Sequence, residues 1–322
     1  MRKNYQKPTK IILGLLFAIL LIYYLLKQIS IKDIAVLFHN LNMQLLIVAF
    51  LFYVGSYFFR ALRFKITLNT KLKLTKLFHV VSIHTVMNNL MPARLGELSY
   101  IYLAKKQGIK GTTAISSLIA ARVFDLIVIS LIFLVSVILI KKHSQMAGVI
   151  YLILLLLALL LLFLVISIIL KHKVLRMLNY IARKLNIKRA KAIKYILIKL
   201  SEASKDLDRI KSKKILLLVF FSSIAVWICQ FLTLYLIVIS SGVRIGLLFL
   251  IVSITFSTLS TILPIYSPGG FGTIEGSWAL GLVILGVSKE IAISTGFFQH
   301  IILIIFFAVL GFFSLAYFTF KK

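Results

Sequence analysis

A chain of 322 residues that is 61% hydrophobic and only 14% charged lies far from soluble domains, in which about a quarter of residues carry charge. A mean hydropathy of +1.05, with apolar runs recurring from end to end, predicts one polytopic membrane domain over residues 1–322 and no separate catalytic module. The net charge of +30 argues against nucleic acid, because it collects in loops between apolar runs as the positive-inside rule requires, and the one cysteine, Cys229, excludes a disulfide framework or a thiolate metal cluster.

In chain order, full-length apolar spans are predicted at about 11–26, 45–62, 112–140, 147–170, 215–240 and 291–319. The first follows Arg2, Lys3, Lys7 and Lys10 and ends in Tyr23-Tyr24-Leu25-Leu26-Lys27 without a small-residue cleavage pattern, so it reads as an uncleaved span. Two further regions are interrupted. Residues 77–104 carry His79, Ser82, His84, Thr85, Asn88 and Asn89 before a break at Pro92, and 247–287 are rich in Ser and Thr before a break at Pro268-Gly269-Gly270. Such breaks cost stability, because Pro removes a backbone donor and Gly adds chain entropy, and their retention points to a site.

Charge decides how these regions thread. A helical hairpin over 77–104 puts the N-terminus, 60–76, 105–110, 171–214 and Lys321-Lys322 on the cytoplasmic side, with 30 of the 38 Lys and Arg. A single crossing would put the strongly basic 171–214 outside. The same reasoning makes 247–287 a hairpin opening from the outside. The fold class is therefore an all-α polytopic membrane protein of about six full transmembrane helices plus two re-entrant helical hairpins, with both termini in the cytoplasm. Span, hairpin and span recur over about 45–140 and about 215–319 from opposite sides, the outline of an inverted-topology repeat. Within 171–214, Leu178, Ile181, Leu185, Ile196, Leu200 and Leu207 fall at helical spacing among Lys and Arg. That basic amphipathic segment suits the anionic lipids of the inner leaflet, either as a topological anchor or as a surface that docks a partner enzyme.

Of eight acidic residues, Asp33, Glu202, Asp206, Asp208 and Glu290 are assigned to loops, which leaves Glu97, Asp125 and Glu275 in membrane-embedded segments. An intramembrane charge costs at least about 2.5–3.5 kcal/mol and marks a candidate site. Arg94 precedes Glu97 by three residues and Arg122 precedes Asp125 by three, so each pair shares a helical face. Glu275 has no such neighbour, which predicts a raised pKa or a partner from the other repeat. Two readings stay open: the pairs neutralise one another and stitch helices together, or they form a mixed-charge chamber. In the second, the arginines and the helix N-terminus after Gly269-Gly270 meet a phosphate, while the carboxylates meet a cationic group or a proton. His84, His300, Gln230 and Gln299 read as interhelical hydrogen-bond partners, and Trp227 and Trp278 as packing or interface residues. Asn88 and Asn89 either cap freed backbone groups or line the chamber. No His-Glu-x-x-His pattern, paired intramembrane aspartates or acidic external loop supports an enzyme, and no metal or cofactor is expected.

The succession Asn-x-Leu-x-Pro-Ala-Arg-Leu-Gly-Glu over 88–97, Ala-Ala-Arg-Val-Phe-Asp over 120–125 and Pro-Gly-Gly-Phe-Gly-x-x-Glu over 268–275 resembles the lysylphosphatidylglycerol synthase transmembrane region. This flippase-like family includes the membrane half of the bacterial multiple-peptide-resistance proteins. The resemblance implies translocation of a phospholipid, typically aminoacylated, or of a lipid-linked headgroup between leaflets of the cytoplasmic membrane. It carries roles onto Pro92, Arg94, Gly96, Glu97, Arg122, Asp125, Pro268, Gly269, Gly270, Gly272 and Glu275. Two departures stand out: Ala121 where the family commonly has Glu, and no soluble aminoacyl-transfer domain, so synthesis of the lysyl-lipid is not expected. The alternative is a non-transporting accessory subunit for a lipid-modifying or glycosyltransferase enzyme.

Overall fold

The computed structural model describes residues 22–28, 30–91, 96–140, 212–261 and 267–320, with a few isolated positions between them. These residues form nine α-helices and one 3₁₀ turn, with no strand among them. Among the described residues, four helices are long and apolar enough to cross a membrane: Met43–Leu68, Gly111–Leu139, Lys213–Ser240 and Lys289–Phe320. Most of the spans expected at 11–26 and 147–170, and nearly all of the basic segment 171–214, lie outside the described residues, although the described end of the first, 22–26, is helical.

A short helix, α1 (Ile31–His39), precedes the first long one. It corrects the loop assignment of Asp33. The Ser30 side chain accepts from the Lys32 N–H, and Asp33 accepts from the Ser30 N–H at 2.8 Å, a capping box that starts a helix just after Lys27. Helix α2 (Met43–Leu68) begins at Asn42, whose side-chain oxygen accepts from the N–H groups of Gln44 and Leu45. It runs past the predicted end at 62, because Phe64, Ile66 and Leu68 continue the apolar pattern. Arg60 and Arg63, expected in a cytoplasmic loop, therefore lie within the helix.

The first interrupted region is α3 (Leu74–Leu90) followed by α4 (Glu97–Lys106), and the two arms pack together. Gly96 sits at their junction, where a Cβ would run into the backbone of Met87 and Asn88. The close approach requires glycine. Helix α5 (Gly111–Leu139) follows, and then α6 (Lys213–Ser240). The second interrupted region is α7 (Leu247–Ser260), a 3₁₀ turn over Pro268–Gly270, and α8 (Thr273–Val283). Gly269, Gly270 and Gly272 take φ values of 70°, 76° and 79°, a region closed to most side chains. Its arms run antiparallel: Ser253 Oγ donates to the Trp278 carbonyl at 2.6 Å, and Ser277 Oγ reaches Ser260 Oγ at 3.0 Å. The chain ends in α9 (Lys289–Phe320).

Small residues bring the two halves together, as expected where lipid removes the hydrophobic drive between helices. Helices α2 and α6 form the most extensive contact and run antiparallel, with the Asn42 N–H donating to the Ser240 carbonyl at 2.7 Å and Thr233 Oγ1 reaching the Ala49 carbonyl. A Cβ on Gly55 would lie 3.5 Å from the Cys229 sulfur. Across the other side, α9 packs on α3 through a His79–Tyr317 ring stack at 4.0 Å and a 3.0 Å contact of His79 Nδ1 with Ser314 Oγ. The 3₁₀ turn also packs against α3. Large apolar side chains such as Leu51, Phe58, Leu131, Phe221 and Phe312 remain exposed. On a soluble monomer such a surface would be a liability; on a membrane domain it faces hydrocarbon.

Candidate functional site

Helices α2 to α9 all contribute to one central cavity of about 420 Å³. Volumes of about 300–1,000 Å³ are usual for small-molecule sites, and this one lies within that range. Its charged walls are Arg60 on α2, Glu97 at the start of α4, and Arg122 and Asp125 on α5, with the His300 imidazole on α9 beside them. Asn88 and Asn89, at the end of α3, also line it.

Of the two expected i to i+3 ion pairs, the one between Arg122 and Asp125 needs revision. Arg122 does not bridge Asp125; its Nη2 lies 2.8 Å from Glu97 Oε1, and its Nε donates to the same oxygen at 3.1 Å. Asp125 instead holds Arg63 in a two-pronged pair, Nη1 to Oδ1 at 2.6 Å and Nη2 to Oδ2 at 3.1 Å. The physical reason is the guanidinium fork, which matches a carboxylate facing it from another helix better than one a turn away on its own. Trp227 Nε1 adds a third donor to Asp125 Oδ1 at 3.1 Å, so this residue belongs to the site's support and not merely to packing. Ser223 Oγ accepts from Arg63 Nη1 at 2.9 Å. Helices α2, α5 and α6 are thereby tied at one buried point. Pro92 and Arg94 lie outside the described residues, and the expected Arg94–Glu97 pair with them.

Glu275 is fully buried and does not itself line the cavity. Its Oε2 accepts from the Gly272 N–H at 2.7 Å and its Oε1 lies 2.7 Å from His300 Nδ1. Its partner thus comes from α9 of the same half, not from the other repeat, and the same carboxylate takes up the Gly272 N–H just before α8. His300 carries the influence of Glu275 to the cavity wall. His84 Nδ1 contacts the Gly96 carbonyl at 3.3 Å, joining the arms of the first hairpin, whereas Gln299 bonds within its own helix to Gly296. Gly96, Pro268, Gly269, Gly270 and Gly272 act as backbone elements that set these arms.

The site also holds Arg60, Arg63, Tyr53 and Tyr57, none of them among the candidates drawn from the sequence. Tyr53, Tyr57 and Arg60 recur at the i, i+4, i+7 spacing of one helical face, a signal hidden by assigning 60–76 to a loop. The tyrosine hydroxyls lie 2.6 Å apart, and the Arg60 guanidinium sits 5.8 Å from the Tyr57 ring centroid. A second cavity of about 300 Å³, built from α5, α6 and α7, is lined entirely by apolar side chains including Leu131, Ile228, Phe231 and Ile251.

Neither the curated proteins nor the solved structures provide a match to the chain. The family model described as lysylphosphatidylglycerol synthase TM region matches residues 11–311, which takes in every residue of the site. A match of that extent, together with the apolar helices, identifies a multi-pass membrane protein that belongs to the lysylphosphatidylglycerol synthase TM region family.

Proposed function

We propose that the chain translocates a phospholipid, an aminoacylated one among the candidates, or a lipid-linked headgroup between membrane leaflets. The observation that carries this reading is the charged cavity of about 420 Å³, walled by both interrupted helix pairs inside a membrane domain. Broken helices are tolerated at membrane depth only where they are buried or line a cavity, and transporters place their substrates between such breaks. The antiparallel pairing of α2 with α6 supports an inverted-topology repeat, since each begins its half of the chain. The headgroup passes through the cavity while the acyl chains stay in lipid or in the adjoining apolar cavity. In this reading both termini face the cytoplasm, and 171–214 lies on anionic lipid.

The test is a leaflet assay. Purified protein in liposomes holding headgroup-labelled lipids of several classes is expected to speed the exposure of one class to a membrane-impermeant quencher. No acceleration for any lipid, with folded protein in the vesicles, would instead favour an accessory subunit that docks a partner enzyme.

A further inference from the structure

We infer that Arg60 is the anion-binding element of the central cavity and that its ligand is a phosphodiester, so that selection rests on the phosphate and not on a cationic headgroup group. This rests on reading the cavity as the substrate site. The charges around the cavity carry it. Asp125 has both oxygens engaged, by Arg63 and Trp227, and Glu97 Oε1 is taken by Arg122. Glu275 is engaged by His300 and the Gly272 N–H. The described carboxylates therefore already have partners, which argues against a site built to capture an ammonium group.

Arg60 stands apart. Its Nε is buried with no hydrogen-bond partner, and no ion pair is formed by its guanidinium among the described residues. It rests over the Tyr57 ring, at 5.8 Å, and Tyr57 is in turn fixed by its hydroxyl contact with Tyr53. The platform limits the rotamers of a long side chain while leaving the planar fork to meet a ligand. Asp125 lies near enough to attract Arg60 but makes no direct ion pair with it; a buried guanidinium without such a pair is costly, and a tetrahedral anion with two oxygens in one plane offsets that cost by bidentate hydrogen bonding. Asn88 supplies a second unmet group: its Oδ1 is buried without a partner and lines the same cavity, placed to accept from a hydroxyl of the ligand.

The test separates binding from transfer. Titrate wild type, Arg60→Gln and Arg60→Lys in detergent with a short-chain phosphatidylglycerol, a short-chain lysyl-phosphatidylglycerol, glycerol phosphate and inorganic phosphate, following heat of binding and the unfolding midpoint. Both lipids are expected to bind wild type with similar affinity, and Arg60→Gln to lose about tenfold to a hundredfold for each, the size of a lost charge-assisted hydrogen bond. Arg60→Lys, which keeps the charge and loses the fork, is expected to fall between. Unchanged affinity in Arg60→Gln at an unchanged unfolding midpoint overturns the assignment, as does binding of the lysyl lipid alone. Arg60-dependent binding of glycerol phosphate as tight as that of the lipid would keep the phosphate chemistry but overturn a lipid headgroup as its source. Arg60-dependent lipid binding without leaflet transfer would leave this inference standing and remove translocation; transfer that is insensitive to Arg60→Gln would do the reverse.

Discussion

Asp125→Ala is expected to destabilise the protein by about 3–5 kcal/mol, because it strands the Arg63 guanidinium, only 3% exposed, without its counter-charge. Three N–H donors converge on this carboxylate from two neighbouring helices, and of their other acceptors only Ser223 Oγ remains for Arg63. The loss is larger than the net worth of the ion pair, since a buried pair nearly breaks even against apolar replacements while half a pair does not. Arg63→Met with Asp125→Leu is therefore expected to recover most of the stability lost by Asp125→Ala. Thermal unfolding in detergent of wild type, the single variant and the double variant checks this. Equal stability of Asp125→Ala and wild type would show that the buried pair is not formed.

Glu275→Gln is expected to cut lipid transfer by about tenfold or more, a barrier increase of at least about 1.4 kcal/mol, while leaving the protein folded. A carboxylate accepts at both oxygens, and here the Gly272 N–H and His300 Nδ1 use one each. An amide has one accepting oxygen and one donating nitrogen. Either one donor goes unmet, at about 1–3 kcal/mol, or the imidazole shifts its proton and reverses the polarity of the nitrogen it presents to the cavity. Both outcomes act through His300. Glu275→Gln combined with His300→Gln is then expected to be no worse than the poorer single variant, because the two residues work as a unit. The leaflet assay on the two singles and the double reads this, and independent, additive losses would contradict it.

Much of the architecture was legible because helix breaks and charges are rare in such a chain. Pro268-Gly269-Gly270 marked the second interruption, and Gly96 with Glu97 marked the restart of the first. Asn88, Asn89, Glu97, Arg122 and Asp125 do meet around one cavity. What the sequence could not supply was who faces whom. Spacing of three or four residues finds partners on one helix, yet Arg122 and Asp125 both turn to other helices, 25 and 62 residues away in the chain. Arg60 and Arg63 count as loop charges from sequence because the positive-inside rule treats arginines next to a span as anchors; it cannot separate them from arginines in the last turns of the span itself. Trp227 reads from sequence as a packing or interface residue because an indole shows its polar N–H only when a partner is known.

The measurement that bears most directly on the account is where a headgroup goes. A phospholipid carrying a photoreactive group on its headgroup, irradiated in liposomes with the protein and mapped by peptide mass spectrometry, is expected to label the cavity walls around His84 to Asn89 and Ile254 to Thr261. Competition by the unlabelled lipid is expected to suppress that label. Adducts confined to outward-facing residues such as Leu51, Phe58 and Phe312, with none in the cavity, would contradict passage of the headgroup through the protein.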